Sequence, residues 1–288
     1  MNAILTIAAL TLREAVARRL VTALAVLTLA VVALSGWGFV RLTVAHGRSG
    51  APLSSVELAA TTSAITLFLA FVFSFVLAIG AAFVTAPVLA ADVESGVALA
   101  LVTRPIRRSD IVLGRWLGLA TLVPSYVALA GTLELTTIHA ITGYAPPHPL
   151  SALTYLGASA LCLLTLALAL SARLPALAGG VVAVALFGMA WIGGIVRQVG
   201  TFTGNQGLTD AGVVSSLLLP TDALWRGALY ALEPAAVLAT VNAPGAGALA
   251  AGPFTVEGPP TSAMLAWSAA WLIAVLALAV GLFARRDL

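Results

Sequence analysis

Lysine is absent from this chain of 288 residues, and all fourteen basic residues are arginines. A Walker-type phosphate loop holds its lysine against the β and γ phosphates. The chain is therefore not expected to hydrolyse ATP, and ATP-driven work would need a partner. Charge is scarce, at 9% of residues, and no soluble basic domain is in sight that would hold nucleic acid. The net charge of +3 and the pI near 9.6 then reflect membrane topology rather than a polyanionic partner. The single cysteine, Cys162, excludes an internal disulfide framework and a thiolate metal cluster, and its place in an apolar run marks it as a packing residue. There is no HExxH zinc pair, no paired-carboxylate magnesium motif inside a span, and no serine or cysteine with a nearby base. No catalytic or metal residue is assigned, and no cofactor is expected on this chain.

What the chain does have is apolar length. Apolar residues make up 61% and the mean hydropathy is +1.08, whereas soluble domains are roughly half apolar. Six stretches are long enough to span a bilayer, which needs about 20 residues each: 20–40, 63–89, 116–141, 153–170, 176–196 and 264–283. The expected fold is an all-α polytopic membrane protein, a single transmembrane domain over 1–288. An interfacial helix would precede the first span, and an amphipathic helix outside the membrane would precede the last. With both ends in the cytoplasm, Arg13, Arg18, Arg19, Arg104, Arg107, Arg108, Arg115, Arg173, Arg285 and Arg286 lie inside. Arg41, Arg48, Arg197 and Arg226 then lie outside, a bias that follows the positive-inside rule. Arg41 and Arg197 close their spans and are expected to snorkel. The tryptophans Trp37, Trp116, Trp191, Trp225, Trp267 and Trp271 fit interfacial or packing positions.

Segment 1–19 mixes apolar residues with Arg13, Glu14, Arg18 and Arg19, and Glu14 precedes Arg18 by four. That spacing predicts an interfacial helix with an i,i+4 pair, its arginines at the headgroups. A secretory signal peptide is the alternative, disfavoured by the full-length apolar run and the further spans that follow. Residues 91–118 carry seven charges: Asp92, Glu94, Arg104, Arg107, Arg108, Asp110 and Arg115. Arg104-Pro105 breaks the helix there. A second helix then restarts at Ser109, with Ser109 as N-cap and Asp110 in the first turn. The result is a bent, charged cytoplasmic element at 91–115, tied to two spans. Arg173-Leu174-Pro175 is a short cytoplasmic turn between the fourth and fifth spans.

Segment 197–262 is the largest external piece. Within it Thr221 is placed to cap a helix whose first turn holds Asp222, whose apolar face holds Leu224, Trp225, Ala228, Leu229 and Leu232, and which ends at Glu233-Pro234. This helix is expected to lie at or re-enter the outer leaflet. Residues 243–260 hold four glycines and four prolines, a linker composition. Glu134 is the one carboxylate deep in a span, a candidate pathway residue by default. Polar glue to a neighbouring helix is its structural alternative. His46, His139 and His148 are scattered without ligand spacing and read as loop or interfacial residues.

TLREAVARR before the first span, ESGVALALVTRPIRRSDIVLGRWLG after the second, LLPTDALWR before the last and FARRDL at the end resemble the permease subunits of the type-two ATP-binding-cassette exporter family. The nitrous-oxide-reductase maturation permeases are the most similar subgroup. The resemblance runs over nearly the whole chain. It implies a dimer of six-span subunits, with an identical or a related second copy, each over a separate nucleotide-binding ATPase subunit that holds ATP and Mg. Thr11 to Arg19 would be an elbow helix, and Asp92 to Val102 a coupling helix seated in the ATPase. Glu94, Ser95 and Gly96 match the start of the motif, and Arg104, Pro105 and Arg108 its end. The implied function is ATP-coupled export in the cytoplasmic membrane, in contact with lipid. The alternative is a non-transporting module that relays ATP-driven motion to an external protein through the helix bearing Leu224, Trp225, Leu229 and Leu232. A partner-free secondary carrier is disfavoured by the single deep carboxylate and the lack of inverted repeats.

Overall fold

A computed structural model describes residues 3–17, 19–44, 53–94, 107–234, 256 and 258–286, with the helical backbone alone at 19–21, 56 and 91–94. Among them are nine helices: α1 Ala3–Ala17, α2 Arg19–Thr43, α3 Ser55–Glu94, α4 Arg108–Thr142, α5 Pro149–Ser171, α6 Ala176–Thr203, α7 Gln206–Leu218, α8 Thr221–Leu232 and α9 Ser262–Ala284. By length and composition α2, α3, α4, α5, α6 and α9 are membrane spans. The chain is an all-helical, six-span membrane protein, as its apolar runs predict. Burial inside lipid forces each backbone donor to find an acceptor within its own segment, which a helix alone provides for an isolated stretch of chain.

α5 is the central post. Thirteen of its residues are buried, Leu163, Leu164, Ala167 and Leu168 completely, and α3, α4, α6, α8 and α9 surround it. By contrast α2 and α9 turn most of their surface outward. α3 and α4 overrun the bilayer: 40 and 35 residues amount to about 60 Å and about 50 Å at 1.5 Å per residue, against about 30 Å of hydrocarbon. Short connections keep neighbours antiparallel. The α5 to α6 turn closes through Arg173 N–H to the Leu170 carbonyl, 3.0 Å, and Pro175 is the N-cap of α6.

Three local expectations are corrected. α4 begins at Arg108 with Arg107 as N-cap and no side-chain cap bond, so Ser109 lies inside the helix, while Asp110 keeps its place in the first turn. Arg108 is drawn into the helix because its guanidinium reaches carbonyls at the end of α9. Likewise α8 is capped by Pro220, and Thr221 is its first residue, with a buried hydroxyl that finds no partner. Proline's fixed φ is already near the helical value, which moves the boundary one residue earlier. Finally, α6 runs on to Thr203, so Arg197 is a mid-helix residue whose backbone and Cβ press on Gly212 of α7.

Candidate functional site

Two places in the bundle gather the residues singled out from the sequence. The first is a joint at the end where the arginines collect. α1 lies along the first turns of α4, and its buried face is Ala8, Thr11 and Ala15. Gly114 and Gly118 make the approach possible. A Cβ at Gly114 would stand 2.6 Å from Ile7 Cβ, and one at Gly118 would stand 2.7 Å from the Ala8 carbonyl. The Gly-x-x-x-Gly spacing in LGRWLG is thus a seat for another helix, which the reading of that stretch as a charged coupling element had missed. Between the glycines, Arg115 reaches over α1 and pairs with Glu14 at 2.7 Å.

The same end ties the C-terminus down. Arg108 Nη1 donates to the carbonyls of Ala284, 3.1 Å, and Arg286, 2.7 Å. Arg286 Nη1 donates in turn to the carbonyls of Ala172, 3.0 Å, and Ser171, 3.4 Å. Guanidinium groups on the free carbonyls of helix ends complement both the orphan acceptors and the negative ends of the dipoles. Arg13 is exposed. Asp92 and Glu94 are on the last turn of α3, whereas Ser95, Gly96, Arg104, Pro105 and Arg18 lie outside the described residues, as do the side chains of Asp92, Glu94 and Arg19.

The second place is a cavity of about 100 Å³ inside the spanning region, walled by α2, α3, α4 and α5 and closed by Leu232 of α8. Apolar side chains make nearly all of its wall. Glu134 projects there from α4, its carboxylate oxygens buried, with the Ser35 hydroxyl of α2 as a hydrogen-bond partner. That hydroxyl also lies 3.1 Å from the Val32 carbonyl. The other hydroxyls on the wall are committed as well. Thr66 donates to the Thr62 carbonyl and Thr28 to the Leu24 carbonyl, each at 2.8 Å. Thr28 and the Tyr126 hydroxyl share a 2.6 Å hydrogen bond. Ser35 of α2 gives Glu134 a polar contact to a neighbouring helix, which takes up one of the carboxylate's acceptor sites. The sequence signalled the carboxylate, but not the cavity, because four separate helices make it.

The helix assigned to the outside packs differently from expectation. Leu224, Trp225 and Leu229 of α8 are buried within the chain, against α5 and α3, and Asp222 is buried with them. They present no docking face to an external protein, which corrects that reading. Asp222 Oδ2 accepts from Arg226 Nε at 2.9 Å, and Arg226 Nη2 donates to the Gly194 carbonyl at 2.7 Å. A side chain at Gly194 would collide with the Asp222 carboxylate. Burial pushes the Asp222 carboxyl above its ordinary range, and Arg226 and Arg197 pull it back. At the C-cap of α8, Glu233 is 2% exposed, and burial pushes its carboxyl up to about 7. Tyr144 closes over this point, its hydroxyl donating to the Leu232 carbonyl at 2.9 Å. Of the histidines, His139 is exposed with Nδ1 3.3 Å from the Tyr144 carbonyl, His148 is the exposed N-cap of α5, and His46 lies outside the described residues. No cluster of metal-ligating side chains occurs among the described residues.

No protein-family model matches the chain, and no curated protein matches it.

Proposed function

We propose that this chain is the membrane-spanning permease subunit of an ATP-binding-cassette transporter of the type-two exporter family. It pairs with a second permease copy in the cytoplasmic membrane and draws its energy from a separate ATPase subunit. One observation carries the reading: the charged stretch 91–115 of the sequence runs into the first turns of the overlong helix α4, where α1, α4, α9 and the α5 to α6 turn are tied together. A load applied to that segment reaches four parts of the bundle through the Gly114 and Gly118 seat and the Arg108 and Arg286 bonds. A partner that closes on ATP would then bias two arrangements of the spans, which is the physical content of coupling.

The test is to purify the tagged chain in mild detergent from its native membranes and to assay what accompanies it for ATP hydrolysis. A co-purifying subunit with a Walker motif is expected. Reconstituted with it, the double variant Glu94→Ala and Arg104→Ala should hydrolyse ATP without moving substrate, while inserting normally in the membrane. Arg108 is left intact, because its bonds to the end of α9 would confuse loss of coupling with loss of packing. A chain that purifies alone, or a double variant that stays coupled, overturns the proposal.

A further inference from the structure

A carboxylate inside a span is costly and is kept where a partner or a pathway needs it. Around Glu134 the neighbouring hydroxyls are engaged: Ser35 lies between Glu134 and the Val32 carbonyl, Thr66 donates to Thr62, Thr28 to Leu24, and Thr28 and Tyr126 share a hydrogen bond. Ser35 fills one of the carboxylate's several acceptor sites, and a ligand's donors can fill the others. The remaining wall is apolar, with Val31, Leu69, Val76 and Leu156 among its residues, and it carries two aromatic rings, Phe73 and Tyr126, with centroids 6.2 Å apart. Tyr126 and Glu134 are eight residues apart on α4, about 12 Å of helix rise. A ligand that uses both ends therefore places a charge at one and an apolar body at the other.

We propose that the Glu134 cavity is a binding site for a compact amphipathic monocation, a primary or secondary amine whose ammonium pairs with Glu134 and whose hydrocarbon body lies among the α2, α3 and α5 side chains. Charge complementarity selects an amine over a neutral or anionic molecule. The scarcity of free acceptors and the absence of any basic side chain on the wall exclude a sugar, a phosphate or a carboxylate. Entry is from the side. Leu27 lines the cavity and is also exposed on the outer surface of α2, beside Thr22, Ala23, Val26 and Ala30. An amphipathic amine that has partitioned into the bilayer meets that surface without crossing water. The site is a property of this chain alone; its identity as the transport site rests on the transporter reading above.

The test uses the purified full chain in lipid nanodiscs without any ATPase, so that it stands apart from the coupling experiment. Fluorine NMR would follow 4-fluorophenethylamine and its neutral analogue 4-fluorophenethyl alcohol against the wild type, Glu134→Gln, Glu134→Asp and Ala70→Leu, with empty nanodiscs as reference. The amine should bind the wild type at least tenfold more tightly than the alcohol. Glu134→Gln should abolish that preference, and Glu134→Asp should keep part of it. Ala70→Leu fills the cavity from α3 without touching the carboxylate and should weaken both probes. Equal binding of amine and alcohol to the wild type, an unchanged amine preference in Glu134→Gln, or signals no different from empty nanodiscs would each overturn the proposal. Retained binding in Ala70→Leu would place the ligand elsewhere and overturn it too.

Discussion

The two ends of the bundle are held by the same residue types used in opposite ways. At the arginine end, ion pairs and guanidinium bonds lie at the surface: Glu14 keeps 47% of its side chain exposed and Arg115 keeps 14%. The close packing there comes from two glycines under a single short helix. At the α8 end the acid is buried, Asp222 to 2% of its side chain, while Arg226 keeps 19% exposed and is bonded to a span through the Gly194 carbonyl. The difference lies in the acids: solvent screens Glu14 and leaves Asp222 unscreened. The α8 end is consequently the fixed one, and the arginine end is joined by contacts that can be rearranged at little cost.

The comparison is broken most severely at Asp222. Asp222→Ala leaves Arg226 next to a void with only the Gly194 carbonyl for company, and removing one partner of a buried pair costs about 3–5 kcal/mol. A fall of many degrees in the thermal midpoint of the purified chain is expected, with loss of folded yield as the extreme; an unchanged midpoint would show that the α8 end is not held by this pair.

Next is the pH dependence of the same end. Glu233 has a carboxyl raised from 4.5 to about 7 by burial, so the folded chain binds a proton there that the unfolded chain releases. Stability from this group is fully present below pH 4.5 and is lost as pH rises through about 7. The full shift corresponds to roughly 3 kcal/mol. The wild type should therefore melt higher near pH 5 than near pH 8, once other groups are controlled by the variant Glu233→Gln, whose midpoint should lack this component. Identical pH profiles for the two proteins would remove Glu233 from the account.

At the arginine end the largest effect is steric. Gly118→Val pushes atoms into the Ala8 carbonyl and Thr11, and overpacking of this kind costs about 1–3 kcal/mol. Because α1 has little other contact than with α4, the damage should stay local. Protease cleavage within α1 should accelerate while the spans stay intact. A global loss of stability equal to that of Asp222→Ala would erase the distinction between the ends.

The six spans were legible because an apolar run long enough for a bilayer leaves the backbone one way to satisfy itself. α8 was legible too, in its limits and its apolar face, but its destination was not. Leu224, Trp225 and Leu229 read the same whether they meet lipid, a partner protein or α5. The caps went astray by two residues at Ser109 and by one at Thr221, since the reach of Arg108 to α9 is a long-range contact and the fixed φ of Pro220 was passed over in favour of the threonine. The Gly114 and Gly118 signal was present in the sequence and was overlooked in favour of the charges around it. The cavity at Glu134 was beyond the sequence in kind, because it is a property of how four helices lean together.

The smallest effect sharpens the comparison best. From the sequence Glu14 has a partner four residues on, at Arg18, which lies outside the described residues; it also pairs with Arg115 of α4. An exposed pair contributes about 0–1 kcal/mol, so Glu14→Gln should barely move the thermal midpoint, and raising the salt should move the wild type by a similarly small amount. The pair's consequence lies in position instead. It fixes the rotation of α1 on the glycine seat, and the distance distribution between spin labels at two exposed positions, Arg13 of α1 and Ser125 of α4, would report that register. In Glu14→Gln that distribution should broaden while the melting curve stays put. A change in both would make the pair a structural tie like Asp222 and Arg226; a change in neither would assign the register to the two glycines alone. Either result states how much of the arginine end is held by charge and how much by shape.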